Sequence, residues 1–185
     1  MALDKTIAVI NELAKSSVLK NYAIAGAVAA AAYVQSVLTE DLDILIAVDN
    51  LATRPSGLLL LSPIEDALAA MGYTERSDVG VMVEDWPVQF IPVASDLDVE
   101  SLQEAQDVRF DATPSFLARV LRPEHIVAKA LTVGRFKDLD RIESFLDQRA
   151  VDLPRLQAVL SRHELLAPWK AFCLQAGRTD PLGAP

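Results

Sequence analysis

The sequence predicts an α+β fold, a sheet flanked by helices followed by a helical C-terminal third. Short apolar runs rich in β-branched residues, "YAIA", "DLDILIAV", "VGVMV" and "PVQFIPV", all lie before residue 95. Segments with helical spacing are interleaved with them and then replace them after Pro123. With 51% hydrophobic residues in 185, the chain has the apolar content for a substantial core.

The elements follow in order. "LDKTIAVINELAK" sets Ile7, Ile10, Leu13 and Ala14 at helical spacing, with Asp4 near its start, and predicts an amphipathic helix. "YAIA" reads as a short strand that turns at Gly26 into an alanine-rich helix, since alanine is the best helix former. "DLDILIAV" is the next strand, ended by the turn-rich "DNLATRPSG". Ser62 as N-cap, Pro63 at the first helical position and Gly72 at the far end punctuate a short helix. "DVGVMVE" and "PVQFIPVAS" read as a hairpin about "DW", with Pro92 marking an edge or a bulge. "DLDVESLQEAQ" predicts a helix, "VRFDA" a short strand and "PEHIVAKALTVG" a helix opened by Pro123. "DLDRIESFLDQR" and "LPRLQAVLSRHELLAPWKAF" complete the helical third, and "QAGRTDPLGAP" reads as a frayed tail. The expected organisation is a core over 1–118, a helical extension packed on it over 119–176 and a flexible tail over 177–185.

Composition excludes several functions. The net charge of −9 leaves no general basic face for long duplex nucleic acid. Charge is uneven, however: from Arg119 to Arg149 seven Lys/Arg face five Asp/Glu, a net of +2, while the rest carries ten against twenty-one, a net of −11. A basic segment on an acidic body suits a small anionic ligand. The lone Cys173 has no disulfide partner and the opening residues do not read as a leader, so the expectation is a cytoplasmic protein. "YAIAGAVAAAAYVQSVL" lacks charge over 17 residues but is short and alanine-rich for a membrane span, so no membrane role is expected. His125 and His163 stand apart in sequence with no neighbour at zinc-ligand spacing. Cys173 with Trp169 and Phe172 reads as core.

"TEDLDILIAV" carries the chemistry. Asp41 and Asp43 project to the same side of a strand, where two carboxylates repel and are costly to desolvate unless a cation lies between them. Magnesium suits such a pair, because it takes one or two carboxylates and completes its shell with water and substrate phosphates. A solvated strand end would show the same pattern. Upstream, Gly26 opens a helix where a phosphate could approach backbone N–H groups. Downstream, Lys129 lies in an apolar helix and either snorkels or meets a buried anion. Arg135 and Lys137 follow the helix-ending Gly134, where they either compensate a helix dipole or contact phosphate, and Asp138 is placed to cap the next helix.

A strand, a glycine at a helix start and an acidic-hydrophobic-acidic strand, here "IAGAVAAAAY" and "TEDLDILI", resemble the nucleotidyltransferase superfamily, the polymerase-β-like group. "LRPEHIVAKALTVGRFKDLDRI" extends the resemblance to small bacterial members related to AbiEii/MenA-type toxin enzymes, which carry a helix with a lysine and then a "GRxKD"-like turn. The resemblance spans roughly Tyr22 to Leu146 and implies a mixed sheet. It further implies that Gly26, Ala27 and Thr39 belong to the nucleotide loop and that Asp41 and Asp43 bind Mg2+ or Mn2+. Lys129, Arg135, Lys137 and Asp138 would then lie near the nucleotide, with Gln89 at the position of the third catalytic carboxylate.

Three positions depart from the pattern: Ala27 replaces a Gly or Ser, Val37 an arginine, and Gln89 a carboxylate. Glutamine offers a metal a carbonyl oxygen but no charge, and it cannot act as a general base. Glu84 and Asp85 are the sequence's candidate substitutes. The implied activity is transfer of NMP from a metal-bound NTP to an unknown acceptor hydroxyl on protein, tRNA or a small molecule, with a toxin-like role suggested by the resemblance. The alternative is a catalytically impaired relative that binds a nucleotide or a partner protein, as in a toxin–antitoxin pair.

Overall fold

The computed structural model describes residues 3–35, 39–47, 61–110 and 115–183. Six strands form one mixed sheet: β1 (Tyr22–Ile24), β2 (Leu42–Ile46), β3 (Val81–Val83), β4 (Trp86–Pro92), β5 (Gln106–Phe110) and β6 (Phe116–Val120), in the order β3-β4-β2-β1-β6-β5. Strands β2 and β4 pair in parallel, as do β1 and β6, while β1–β2, β3–β4 and β5–β6 are antiparallel. The class is α+β, with helices flanking the sheet and filling the last third.

The first helix, α1 (Leu3–Lys15), buries Thr6, Ile7, Val9, Ile10 and Leu13. It crosses the sheet: the Thr6 hydroxyl donates to the Val83 carbonyl at 3.0 Å, and the Asn11 amide donates to that of Leu117. The short alanine helix α2 (Gly26–Ala31) and α4 (Asp96–Gln103) contact β2. Helix α5 (Pro123–Val133) is the hub of the helical third, packed against α2, α4, α6 (Phe136–Asp147), α7 (Leu153–Arg162) and α8 (Leu166–Gln175). Its buried run from Glu124 to Ala128 is what such enclosure demands of a sequence. Because β2 is covered on both faces, Leu42, Ile44, Leu45 and Ile46 are all buried, and Asp43 alone in that strand is not.

Several sequence expectations shift. The hairpin turns at Glu84-Asp85, both at positive φ (50° and 67°) as a two-residue type I′ turn requires, so Trp86 pairs with Val83 and is not part of the loop. Pro92 ends an interior strand, opposite Ile46, and β3 provides the edge on that side. Ser62 is the first residue of α3 (Ser62–Ala70), with Leu61 at the N-cap and no side-chain cap. Strand β6 was not expected: "FLARV" has a weak alternating pattern, yet its pairing with β1 places it inside the sheet and across the 118/119 boundary. "LPRLQAVLSRHELLAPWKAF" is two helices, broken by Glu164 at φ 58°. The terminal segment read as frayed has anchors, since Trp169 Nε1 donates to Asp180 at 2.7 Å and Arg178 pairs with Asp147. Val37 and the turn at 49–57 lie outside the described residues. Among the described residues no helix is long and apolar enough to cross a membrane, and the uncharged stretch from Tyr22 is divided into β1 and α2.

Candidate active site

The site gathers on β2. Asp41 stands just before the strand and Asp43 is its second residue, so period-2 alternation turns both carboxylates to one side. The Thr39 hydroxyl lies 2.9 Å from Asp41 Oδ1 and 3.0 Å from the Asp41 carbonyl, a local turn that holds the first carboxylate.

Gly26 packs directly on Asp43. The Ala25 N–H donates to the Asp43 carbonyl at 2.9 Å, tying the β1–α2 turn to the acidic strand. Gly26 has φ +61°, and a β-carbon there would overlap Asp43 Oδ2 and stand 3.0 Å from Cγ. The position therefore demands glycine twice, for its backbone and for the carboxylate beneath it. Ala27 follows as the second helical residue, partly exposed.

Gln89 is the parallel partner of Asp43 across β2–β4, and register partners face the same side of a sheet. It shares with Asp43 a half-buried environment among buried neighbours Val88 and Phe90. Glu84 and Asp85 do not reach this place. They lie at the hairpin turn, about 13 Å along β4 from Gln89 at 3.3 Å per residue, and Glu84 accepts a 2.6 Å hydrogen bond from the Tyr73 hydroxyl.

The turn between α5 and α6 supplies positive charge. Gly134 ends α5 in the left-handed conformation at φ 68°, reversing the chain into "RFKD". Burial raises the Asp43 carboxyl above its usual range and the Asp41 charge adds to this, while Arg141, Lys137 and Arg135 pull it back. Two carboxylates and three cations thus share one electrostatic neighbourhood. Asp138 is buried and accepts from Arg135 Nε at 2.7 Å and from Arg141 at 3.3 Å. It lies within the first turn of α6 and orients two arginines; the N-cap position belongs to Arg135. The hydrogen bond to Asp138 holds the Arg135 guanidinium above its ordinary pKa.

No family model matches the chain, and no curated protein matches it. Several solved structures resemble it, among them two of one protein. A crystal structure of ANT(2")-Ia in complex with adenylyl-2"-tobramycin shares 15% sequence identity, with a TM-score of 0.47, covering 86% of this chain and 93% of that one. A solution structure of the antibiotic-resistance factor ANT(2'')-Ia shares 14%, with a TM-score of 0.49, covering 93% of this chain and 95% of that one.

Lys129 belongs to a different cluster. Its ammonium pairs with Asp98 on α4, so the buried anion it meets is a protein carboxylate. Burial pushes the Asp98 carboxyl up, and hydrogen bonds from Lys129 and the Ala94 N–H more than reverse this, leaving it below the usual range. Arg141 was missed in the sequence. Its signal was spacing, three residues after Asp138 and four after Lys137, which brings all three onto neighbouring helical positions. The two histidines, far apart in sequence, meet in the fold: His125 Nε2 lies 3.1 Å and His163 Nε2 2.9 Å from the two oxygens of Glu100, which Arg162 also contacts at 2.5 Å. Among the described residues no group of three or more His, Cys, Asp or Glu side chains is arranged to hold a metal.

Proposed function

We propose that the protein is a nucleotidyltransferase that binds a magnesium–NTP at Asp41 and Asp43 and transfers the nucleotidyl group to an acceptor hydroxyl. The observation that carries the reading is the packing of Gly26 on the Asp43 carboxylate, on which Arg141, Lys137 and Arg135 act electrostatically. A solvated strand end has no need of a left-handed glycine against its carboxylate or of three cations around it. The "GRFKD" turn that carries the resemblance to the AbiEii/MenA-type group supplies two of those cations, Arg135 and Lys137, and α6 supplies Arg141.

The donor set fits a cation that arrives with its substrate. Two carboxylates are what magnesium takes from protein when phosphate oxygens complete its shell. Bound there, it would neutralise charge on the phosphate oxygens during transfer. Asp43 favours such a guest because its ionised form is disfavoured by burial and by Asp41. Thr39 fixes Asp41 in place. Arg135, Lys137 and Arg141 face the negative charge of the triphosphate, the first and last held by Asp138. In the reaction the acceptor oxygen forms a bond to the α-phosphorus, the bond to the bridging oxygen breaks, and pyrophosphate leaves with that electron pair. The proton of the acceptor passes to solvent, since Gln89 cannot take it.

A second reading is favoured by Gln89 itself, in register with Asp43 where a third carboxylate would activate the acceptor. On that reading the chain binds nucleotide without transferring it and acts through a partner protein. One experiment serves both. Magnesium with an NTP should raise the melting temperature by roughly 5–10 °C at a hundredfold excess over Kd, from about 2.7 kcal/mol at 2–4 °C per kcal/mol. Labelled NTP incubated with protein and cell extract should then leave label on an acceptor. A thermal shift without label transfer selects the binding module, and no shift at millimolar NTP removes both readings.

A further inference from the structure

Phe136 is 81% exposed, an aromatic ring in water at the first position of α6. It takes no part in the core, where α6 contributes Ile142 and Phe145. Its chain neighbours are Arg135 and Lys137, both of which act electrostatically on Asp43. Two helical steps of about 100° turn its side chain away from that of the buried Asp138. A single exposed apolar residue is ordinary. An exposed ring flanked in sequence by two cations that act on the Asp43 carboxylate is a more specific arrangement.

We propose that Phe136 is the surface on which the base of the bound NTP stacks. The proposal rests on the nucleotide reading above and adds a specificity to it. A nucleotide held by its phosphates between Asp41, Asp43, Arg135 and Lys137 would project its base away from that cluster, and Phe136 is the exposed aromatic residue next in the chain to both cations. Stacking uses the π-face that every base has, without reading hydrogen-bonding edges. The site therefore accepts all four NTPs, with only the modest preferences that differences in stacking strength supply.

The test separates base from phosphate. Calorimetry would compare magnesium–ATP with magnesium–tripolyphosphate, a base-free probe, on the wild-type chain and on Phe136→Ala, Phe136→Leu and Phe136→Tyr. The expected result is tighter binding of ATP than of tripolyphosphate to the wild type. Phe136→Ala and Phe136→Leu should weaken ATP by about 5- to 100-fold, the range of aromatic stacking losses, and leave tripolyphosphate unchanged. Phe136→Tyr should keep the wild-type ratio. Because the ring is outside the core, the variants should fold, and unchanged circular dichroism checks this. If both probes bind the wild type and Phe136→Ala leaves their ratio unaltered, the base lies elsewhere and the proposal is overturned while the nucleotide site stands. Equal loss of both probes in Phe136→Ala assigns the residue a structural role and overturns it too. Failure of both probes on the wild type removes the nucleotide reading and this proposal with it.

Discussion

Gly26 rests on the carboxylate of Asp43, with room for no side-chain carbon between them. Gly26→Ala must enter the left-handed region, at about 1–2 kcal/mol, and must also push Asp43 aside. The melting temperature should fall by about 2–8 °C for the backbone part alone, at 2–4 °C per kcal/mol. In the double variant with Asp43→Ala the clash with Oδ2 and Cγ disappears, so the combined loss should be smaller than the sum. A double-mutant cycle on thermal unfolding measures the difference. Strict additivity would show that the two residues do not share the contact.

Asp43→Asn should stabilise the free protein at neutral pH. Burial and then Asp41 raise the folded-state pKa of Asp43 above the unfolded value of 3.8. A raised group contributes its stability below the unfolded pKa and loses it as pH rises through the folded value, so the ionised form weighs against the fold at pH 7. The variant should melt higher than wild type at pH 7, with the gap closing toward pH 3. It should also lose the magnesium–NTP shift, which melting curves with and without ligand would reveal.

Asp138 and Arg135 form one ion pair, yet their removal should not cost the same. Asp138 is 2% exposed and serves two arginines, whereas the Arg135 side chain is 61% exposed. Asp138→Ala takes its hydrogen-bonded carboxylate from the enclosed Arg141 and should cost about 3–5 kcal/mol. Arg135→Ala should cost less than about 1 kcal/mol, as exposed pairs do. Denaturant unfolding of the two variants gives the ranking, and equal losses would contradict the assigned roles.

Glu100 should govern the acid limb of stability. Hydrogen bonding from Arg162, joined by His125 and His163 and opposed by burial, lowers its carboxyl from 4.5 to about 2. A depressed carboxyl contributes stability above its unfolded pKa and loses it as pH falls from about 4.5 toward 2. His125, held below its ordinary value mainly by burial, adds a loss that begins below pH 6.5. Glu100→Gln should flatten the wild-type decline between pH 4.5 and 2, followed by circular dichroism across pH. A decline as steep as the wild type's would place the acid-sensitive group elsewhere.

Gln89→Glu would set a third carboxylate in register with Asp43. The free protein should become less stable at neutral pH, because three like charges then share one face. Magnesium should recover that loss, and any label transfer seen with the wild type should increase. Unchanged magnesium dependence would show that the side chain at 89 does not reach the site.

The strand "DLDILI", the glycine turn before it and the hairpin after it were legible because each has a local signature: alternation, a left-handed position, two apolar runs about a short turn. Strand β6 was not, since "FLARV" owes its place to pairing with β1 and β5 and shows only a weak alternating pattern. The same division runs through the site. Asp41 and Asp43 could be put on one face by strand arithmetic, whereas Gln89 entered through the family resemblance and meets Asp43 only through the pairing of β2 with β4. Lys129 could not be assigned, because its partner Asp98 lies 31 residues away on another helix and no spacing rule connects them. Arg141 was hidden for a different reason: in "DLDRIESFLD" an arginine near acids reads as ordinary helix-surface pairing until α6 is docked. The meeting of His125 and His163 at Glu100 likewise needs α4, α5 and α7 in place.

The split origin of the site has a consequence for biosynthesis. Its anionic half is drawn from residues 39–43 and its cationic half from 135–141, so roughly ninety residues separate the synthesis of the two. At about 5–20 residues per second that gap lasts on the order of 5–20 s. During it, β1 and β2 can already pair, since they are neighbours in sequence and in the sheet. The acidic strand then carries its two charges with no arginine opposite. Its repulsion is offset from within the chain only once residues 135–141 have been made. Translation thus builds the electrostatic debt of this protein before its repayment.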